Sequence, residues 1–353
     1  MRIRALVATL PLLALAACGS TSTSSPTSGS SVPGSLSAGS TGASGSAVAS
    51  AAANLGPAVP PATVLAAPVA ASELPTASGK FGEKPKLIFP KTTPPPSLQR
   101  EILFAGTGPE TKKSDYLVTN YYGTVWGSDK AFDNSYDRKA TSTFQIGVGQ
   151  VVPGWDIALV GVKLGSRVLL SLPPADGYGA KGGAAGKIKG TDTIVFVVDV
   201  VSRISSDQAG QSNAAVQPAP KGVPTVSGAP GKEPTITIPK GLKEPTANSV
   251  HVLAKGTGPA VKEGSVLAQL VVTDWTKSQT QSTYPKKAGT PASANPGSTG
   301  LQKIPVDKTG ALKGLLGLPI GSRVLVLIAA TTDPSTGQKQ PAAIAVVDLV
   351  AQA

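Results

Sequence analysis

Histidine and cysteine, which carry much of the acid–base, nucleophilic and metal chemistry of proteins, are almost absent from this chain of 353 residues. The chain holds one histidine, His251, and one cysteine, Cys18. A single histidine in the second half argues against a Ser-His-Asp triad in the first half, a multi-histidine zinc site and most histidine-based acid–base schemes. A single cysteine excludes an intramolecular disulfide and a thiolate metal site. We therefore expect no metal and no cofactor, and a structural role for His251.

Aromatic side chains are scarce as well, at 4% of the sequence, yet they gather in one stretch between residues 121 and 196. Such crowding indicates either the only substantial core of the chain or an aromatic-lined pocket. We interpret the stretch as both, because a pocket can be the open end of a core. The rings in this window are Tyr121, Tyr122, Trp126, Phe132, Tyr136, Phe144, Trp155, Tyr178 and Phe196.

The elements that must position these rings are short strands and one helix. Residues 116–126, 167–172 and 193–201 are rich in Val, Leu and aromatics and are bounded by turn residues, which predicts strands. Apolar residues recur at helical spacing from Trp155 to Val162, just after Pro153, and predict a short helix ending near Gly161 or Gly165. The pattern predicts an α+β fold, with the helix against the concave face of an antiparallel sheet.

Four motifs of the first half return in the second half, in the same order and at an offset near 150 residues. They are Gly82–Pro90 with Gly231–Pro239, Gly106–Pro109 with Gly256–Pro259, Leu164–Leu169 with Ile320–Leu325, and Val197–Val201 with Val346–Val350. We therefore predict two related domains, at 81–204 and 231–353, each an antiparallel sheet wrapped around a short α-helix, the second a degenerate copy. The Gln-, Ala-, Pro- and Gly-rich residues 205–230 are interpreted as the linker between them.

The N-terminus has the pattern of an export signal. Arg2 and Arg4 precede an apolar run at 5–17 that is too short to span a bilayer, and the run ends in Leu15-Ala16-Ala17-Cys18-Gly19. That ending resembles the lipobox of bacterial lipoproteins, which implies cleavage of a signal peptide at 1–17 and lipidation of Cys18. The alternative is an ordinary signal peptide with an incidental cysteine. Residues 18–80, mostly Ser, Thr, Gly, Ala and Pro, are predicted to be a disordered tether.

The formal charge of +12 is spread over single Lys and Arg residues, which is typical of a solvated surface. No nucleic-acid motif accompanies it, so we expect no nucleic-acid partner. With the lipid signal, the expected location is extracytoplasmic, on the outer face of the cell membrane. The Ala-, Gly- and Pro-rich composition favours a GC-rich Gram-positive bacterium, and we expect a monomer.

Over residues 82–203 the ordered motifs resemble the FKBP-type peptidyl-prolyl isomerases, whose fold is an antiparallel sheet wrapped around a short helix. The resemblance rests on Tyr121 ahead of Gly123, Phe132-Asp133, Arg138, Val151-Val152 ahead of Gly154-Trp155, and Tyr178-Gly179. It implies a catalytic pocket formed by Tyr121, Phe132, Asp133, Trp155, Tyr178 and Phe196. It implies further substrate contacts from Arg138, Phe144, Val151, Val152 and Ile188.

Two features depart from the family pattern. Ser142 stands where the family often has an aromatic residue, and the lid loop at 182–190 lacks the usual Ile-Pro-Pro and has one extra residue. Both features bear on the affinity for macrolide inhibitors, which the resemblance implies as ligands beside proline-containing polypeptide clients.

The implied activity needs no nucleophile, because an apolar pocket disfavours the charge-separated planar amide and so favours the twisted one. In the second domain Leu270, Ala311 and Ala345 replace Tyr121, Trp155 and Phe196, Pro334 falls near the position of Tyr178, and Phe-Asp has no counterpart. We expect isomerase activity from the first domain only, in the folding of exported proteins. The alternatives are a non-catalytic chaperone or binding module and, more weakly, a solute-binding lipoprotein.

Overall fold

The computed structural model describes residues 65–285, 300–332 and 337–353. Cys18, the predicted signal peptide and residues 18–64 of the predicted tether lie outside the described residues. The described chain falls into two compact units that divide between residues 208 and 209. No helix in the described part is long and apolar enough to cross a membrane.

The first unit is built on a six-stranded antiparallel sheet with the order β3-β7-β8-β4-β5, and β6 also pairs with β4. A two-stranded hairpin, β1–β2, precedes the sheet, and one α-helix follows β6. The elements are β1 Thr76–Ser78, β2 Lys86–Ile88, β3 Gln99–Phe104, β4 Tyr116–Val125, β5 Ala131–Asn134, β6 Ser142–Gln145, α1 Pro153–Ala158, β7 Arg167–Leu172 and β8 Ile194–Ile204. Short 3₁₀ segments lie at Ala71–Glu73, Pro174–Asp176, Gly179–Lys181 and Ala184–Gly186.

The second unit has a seven-stranded antiparallel sheet with the order β14-β13-β19-β16-β12-β9, and β15 also pairs with β13. Its strands are β9 Ala215–Val216, β10 Thr225–Ser227, β11 Thr235–Thr237, β12 Ser249–Lys255, β13 Gly264–Asp274, β14 Thr280–Ser282, β15 Gln302–Val306, β16 Arg323–Ile328, β17 Thr331–Thr332, β18 Lys339–Gln340 and β19 Ala343–Gln352. Two hairpins, β10–β11 and β17–β18, stand apart from the sheet. Among its described residues, the helical element is one 3₁₀ turn at Lys313–Leu315.

Both sheets use the same strand pairing. Tyr121 of β4 pairs with Val198 of β8, and Leu270 of β13 pairs with Val347 of β19. The strands predicted at 116–126, 167–172 and 193–201 are confirmed within a few residues. The predicted helix is present but shorter than expected, because the chain turns at Gly161, which has a positive φ of 79° and donates to the carbonyl of Thr111.

Three predictions about the architecture are corrected. The predicted tether contains an ordered end, in which Leu74 is buried and β1 pairs with β2, because apolar side chains there pack on the sheet. The predicted linker contains β9 and β10, which pair with β12 and β11. The second unit has no α-helix among its described residues, because the segment that would hold it is shorter. Leu315 follows Val306 by nine positions, whereas in the first unit the equivalent Leu159 follows Ile146 by thirteen. A loss of four residues removes about one helical turn.

A buried Arg–Asp pair connects one side of each sheet to a hairpin, β1–β2 in the first unit and β10–β11 in the second. In the first unit Arg167 binds Asp199 with Nε to Oδ1 at 2.6 Å and donates to the carbonyls of Gly79 and Glu83 at 2.7 Å. Gly82 N donates to the same aspartate at 2.6 Å, so the carboxylate and the guanidinium both engage the turn of the β1–β2 hairpin. Because the two charges satisfy each other and the backbone, their burial is tolerated.

Candidate functional site

The other side of the first sheet carries the aromatic cluster, and Trp155 is its centre. Pro153 occupies the first position of α1, and Gly154 follows because a Cβ there would lie 2.6 Å from Leu172 Cγ. The helix can therefore approach β7 closely and bury Trp155 completely. The indole is in edge contact with three rings, with centroid distances of 5.1 Å to Phe144, 5.1 Å to Phe196 and 5.7 Å to Tyr121.

A β-bulge brings Phe132 into the cluster. Gly123 pairs with Asp133 and the next residue of β4 pairs with Ala131, so Phe132 is the extra residue of β5. Its ring lies edge-on to Phe196 at 5.5 Å, and both rings crowd Gly123, where a Cβ would be 2.6 Å from Phe196 and 2.8 Å from Phe132. A glycine at 123 is therefore required for both rings to meet over the strand.

Asp133 and Arg138 form a polar edge beside these rings. The Tyr121 hydroxyl donates to Asp133 at 2.5 Å and accepts from Arg138 at 2.7 Å, and Arg138 also pairs with the carboxylate. The guanidinium lies 5.5 Å from the centroid of the Tyr121 ring. Burial, followed by hydrogen bonding to Asp133, raises the pKa of Tyr121, so this phenol remains a neutral donor. The arrangement fixes the orientation of the carboxylate at the edge of the aromatic cluster.

The connection between β7 and β8 contributes Tyr178 and Ile188, both buried. Gly183 lies against the Tyr178 ring, since a Cβ added at Gly183 would be 2.3 Å from Tyr178 Cδ1. Gly183 also exchanges backbone hydrogen bonds with Ile188. Tyr178 makes an edge contact with Phe132 at 6.3 Å. Burial, with a smaller effect of the Asp133 charge, raises the pKa of Tyr178 to about 12.

Two polar atoms of the cluster are buried without a hydrogen-bond partner, Trp155 Nε1 and the Tyr178 hydroxyl. An unsatisfied buried donor costs about 1–3 kcal/mol, so each such atom, including Ser171 Oγ on β7, calls for an explanation. Trp155 Nε1 and the Tyr178 hydroxyl are donors among apolar side chains, which suits a ligand that brings carbonyl oxygens. A peptide segment has that chemistry.

The structure brings together the side chains predicted for the site. Val151 and Val152 are buried ahead of α1 and belong to the same cluster as Phe144, and Arg138 also reaches Ser142 at 3.5 Å. Sequence analysis did not single out Ser135, whose hydroxyl accepts from Tyr121 N at 2.9 Å and donates to Asn120. The same bonds join Thr283 to Leu270 and Gln269 in the second unit. An alignment of the two halves that pairs Ser135 with Thr283 would therefore have pointed to Ser135.

The equivalent surface of the second unit lacks the rings. The strand pairing places Leu270 at the position of Tyr121, Val272 at that of Gly123 and Ala345 at that of Phe196. Gln281 pairs where Asp133 does, and β14 has no bulge, so no residue corresponds to Phe132. Pro334 lies outside the described residues. Among the described residues no group of three or more His, Cys, Asp or Glu side chains has the arrangement of a metal site.

Comparison with known proteins agrees with this geometry. The family described as FKBP-type peptidyl-prolyl cis-trans isomerase matches residues 108–201. An FK506-binding protein of Streptomyces anulatus is 36% identical over 120 residues, which are 34% of this chain and 97% of that protein. An FK506-binding protein of Neisseria meningitidis is 39% identical over 105 residues, which are 30% of this chain and 94% of that protein.

A solved structure described as the crystal structure of AtFKBP13 is 28% identical, with 31% of this chain and 92% of that chain covered and a TM-score of 0.27. The two bacterial relatives are matched over nearly their whole length. The residues that match the family lie in the unit that holds the aromatic cluster. The chain belongs to the FKBP-type peptidyl-prolyl cis-trans isomerase family.

Proposed function

We propose that the first unit catalyses cis–trans isomerisation of X-Pro bonds in exported polypeptides. The observation that carries the proposal is the enclosed aromatic cluster around Trp155, with two unsatisfied donors inside it. Rotation about an X-Pro bond faces a barrier of about 20 kcal/mol, and each 1.36 kcal/mol removed raises the rate about tenfold.

The side chains have complementary tasks in this mechanism. Trp155 is the floor on which the proline ring lies, and Phe132, Val151, Val152 and Phe196 enclose it. The dry pocket destabilises the charge-separated planar amide relative to the twisted amide. The Tyr178 hydroxyl donates to a substrate carbonyl, and the Asp133 carboxylate, oriented by Tyr121 and Arg138, acts on the twisting carbonyl from the edge of the cluster.

The test is a prolyl-isomerisation assay on a proline peptide, with the chain lacking residues 1–18 and with Trp155→Ala and Asp133→Ala. Trp275→Ala, which removes a partly buried tryptophan from the second unit, is the matched control. We expect rates near the uncatalysed level for Trp155→Ala, a reduced rate for Asp133→Ala and an unchanged rate for Trp275→Ala. Uncatalysed rates for all four proteins would instead favour a non-catalytic binding module.

The second unit is, in this proposal, a degenerate copy without isomerase activity, since small aliphatic side chains replace the rings. The lipobox-like sequence at Cys18 supports a lipid-anchored, extracytoplasmic location, with the chain acting as a monomer on proline-containing clients and binding macrolide inhibitors in the same pocket. Expression in a bacterium with Cys18→Ser tests the anchor. Release of the variant from the membrane fraction is expected, and equal membrane association of both proteins would contradict it.

A further inference from the structure

The second unit contains a cleft of about 350 Å³ on the side of the sheet opposite the aromatic-pocket position. Strand β11 forms one wall, and β13 and β14 form the other. The lining residues are Glu233, Pro234, Thr235, Ile236, Val271, Thr273, Lys277, Thr280 and Ser282. A volume of this size lies at the lower end of the range for small-ligand sites.

The cleft occupies the position that an aromatic ring fills in the first unit. Val271 pairs with Val346 and Ser282, as Tyr122 pairs with Val197 and Asn134. In the first unit the Tyr122 ring is 7% exposed and lies beneath the Lys84 ammonium, 6.0 Å from its centroid. Its hydroxyl donates to the Asp129 carbonyl at 3.2 Å.

The surroundings of Val271 have not closed over the lost ring. The β10–β11 hairpin keeps the place of β1–β2, with Ile236 packed against Val271. Ser282 replaces Asn134, so the opposite wall is also smaller. The space of a phenol ring is therefore left between a hairpin and a strand that recur in both units.

The chemistry of the lining favours a neutral ring with a polar end. The floor is apolar at Val271 and Ile236, and the polar end is the exposed Thr280, whose hydroxyl donates to the buried Thr273 at 2.9 Å. The charged groups, Glu233 and Lys277, are of opposite sign, and Lys277 Nζ donates to the Ile236 carbonyl at 2.9 Å. Their charges offset each other, so the site favours neither an anion nor a cation.

We propose that this cleft binds a tyrosine side chain presented by a polypeptide partner. Strand β14 is an edge strand among the described residues, and the cleft lies beside it. An extended chain along such an edge places alternate side chains toward the sheet surface. The site is independent of the proposed isomerase pocket, which belongs to the first unit.

The test titrates the chain lacking residues 1–18 with p-cresol and with the peptide Ala-Tyr-Ala, and Ala-Ala-Ala is the control peptide. Binding is followed through the methyl NMR signals of Val271 and Ile236. Val271→Tyr refills the cleft from within, and Val216→Tyr adds the same ring at a position that is 73% exposed. Saturable shifts with p-cresol and Ala-Tyr-Ala are expected in the wild type and in Val216→Tyr. At least tenfold weaker binding is expected in Val271→Tyr, followed there through Ile236 alone.

A second variant, Thr280→Arg, guards against misfolding of Val271→Tyr, since Thr280 is exposed at the mouth and its replacement blocks entry. It should also weaken binding at least tenfold. Absence of shifts in the wild type, equal binding by both blocking variants and the wild type, or a stronger response to acetate or methylammonium than to p-cresol would overturn the proposal.

Discussion

The two units carry the same buried cluster on one side of their sheets and different side chains on the other. Arg167, Asp199 and Tyr136 hold the β1–β2 hairpin of the first unit, and Arg323, Asp348 and Tyr284 repeat these contacts with the β10–β11 hairpin. On the opposite side, the rings around Trp155 have aliphatic counterparts. The comparison separates side chains that the scaffold needs from side chains that it can do without.

On the side of the sheet that carries the aromatic cluster, the second unit lacks the rings, and the larger side chain of one cross-strand pair stands on the other strand. In the first unit a glycine at 123 faces a phenylalanine at 196, whereas in the second unit Val272 faces Ala345. The large side chain has moved from one strand to its neighbour. A phenylalanine at 345 would meet Val272 where Phe196 meets a glycine, so a single substitution cannot rebuild this part of the aromatic cluster in the second unit.

The largest expected effect is on stability, from removal of either buried arginine. Arg167→Ala or Arg323→Ala leaves an aspartate buried with no guanidinium, which costs about 3–5 kcal/mol. Hydrogen exchange should show loss of protection in the unit that carries the change. Lys308→Ala is the control, because its pair with Glu263 is exposed to solvent and contributes little to stability. Equal effects from all three would show that the buried cluster is not what the scaffold requires.

The next largest effect is expected when Gly123 is replaced by valine, the residue at the equivalent position 272 of the second unit. Gly123→Val forces a side chain into Phe196 and Phe132, and we expect a loss of about 1–3 kcal/mol in unfolding free energy together with loss of the proposed activity. Adding Phe196→Ala should restore part of the stability but none of the activity, with a coupling of about 0.5–3 kcal/mol. Denaturant unfolding of both single variants and the double variant measures this coupling. Strict additivity would show that the side chains at 123 and 196 do not compete for the same space.

A smaller and more specific effect is expected for Tyr178→Phe. The hydroxyl is buried without a partner, so its removal should leave the unfolding free energy unchanged or slightly higher. The proposed isomerase rate should fall about tenfold, the effect of losing roughly 1.4 kcal/mol of transition-state stabilisation. Tyr136→Phe, whose hydroxyl binds Asp199 at 3.0 Å, should show the reverse, with lower stability and an unchanged rate. Parallel behaviour of the two variants would argue against a ligand-directed hydroxyl.

The sequence allowed prediction of the aromatic cluster because scarce aromatic residues mark it, and of the central strands because apolar runs rich in Val and Leu and bounded by turns mark them. It did not reveal the bulge at Phe132, since a one-residue insertion becomes visible only when β5 is paired with β4. Nor did it reveal β9 and β10 inside a Pro- and Gly-rich stretch, where the partner strand and not local propensity determines the structure. The Arg167–Asp199 pair joins residues that only the adjacent β7 and β8 bring together.

The smallest expected effect is that of pH, and its absence tests the proposed mechanism. A phenol whose folded-state pKa is raised stays neutral longer in the folded protein, so its contribution is complete below the unfolded pKa and is lost as pH rises through the folded value. Burial raises the pKa of Tyr178 to about 12 and also raises that of Tyr121, so neither side chain ionises between pH 6 and 9. The rate of the first unit should be constant over this range and fall only at strongly alkaline pH. A bell-shaped profile with an inflection near neutrality would reveal a proton-transfer step, which a pocket that works by desolvation does not contain.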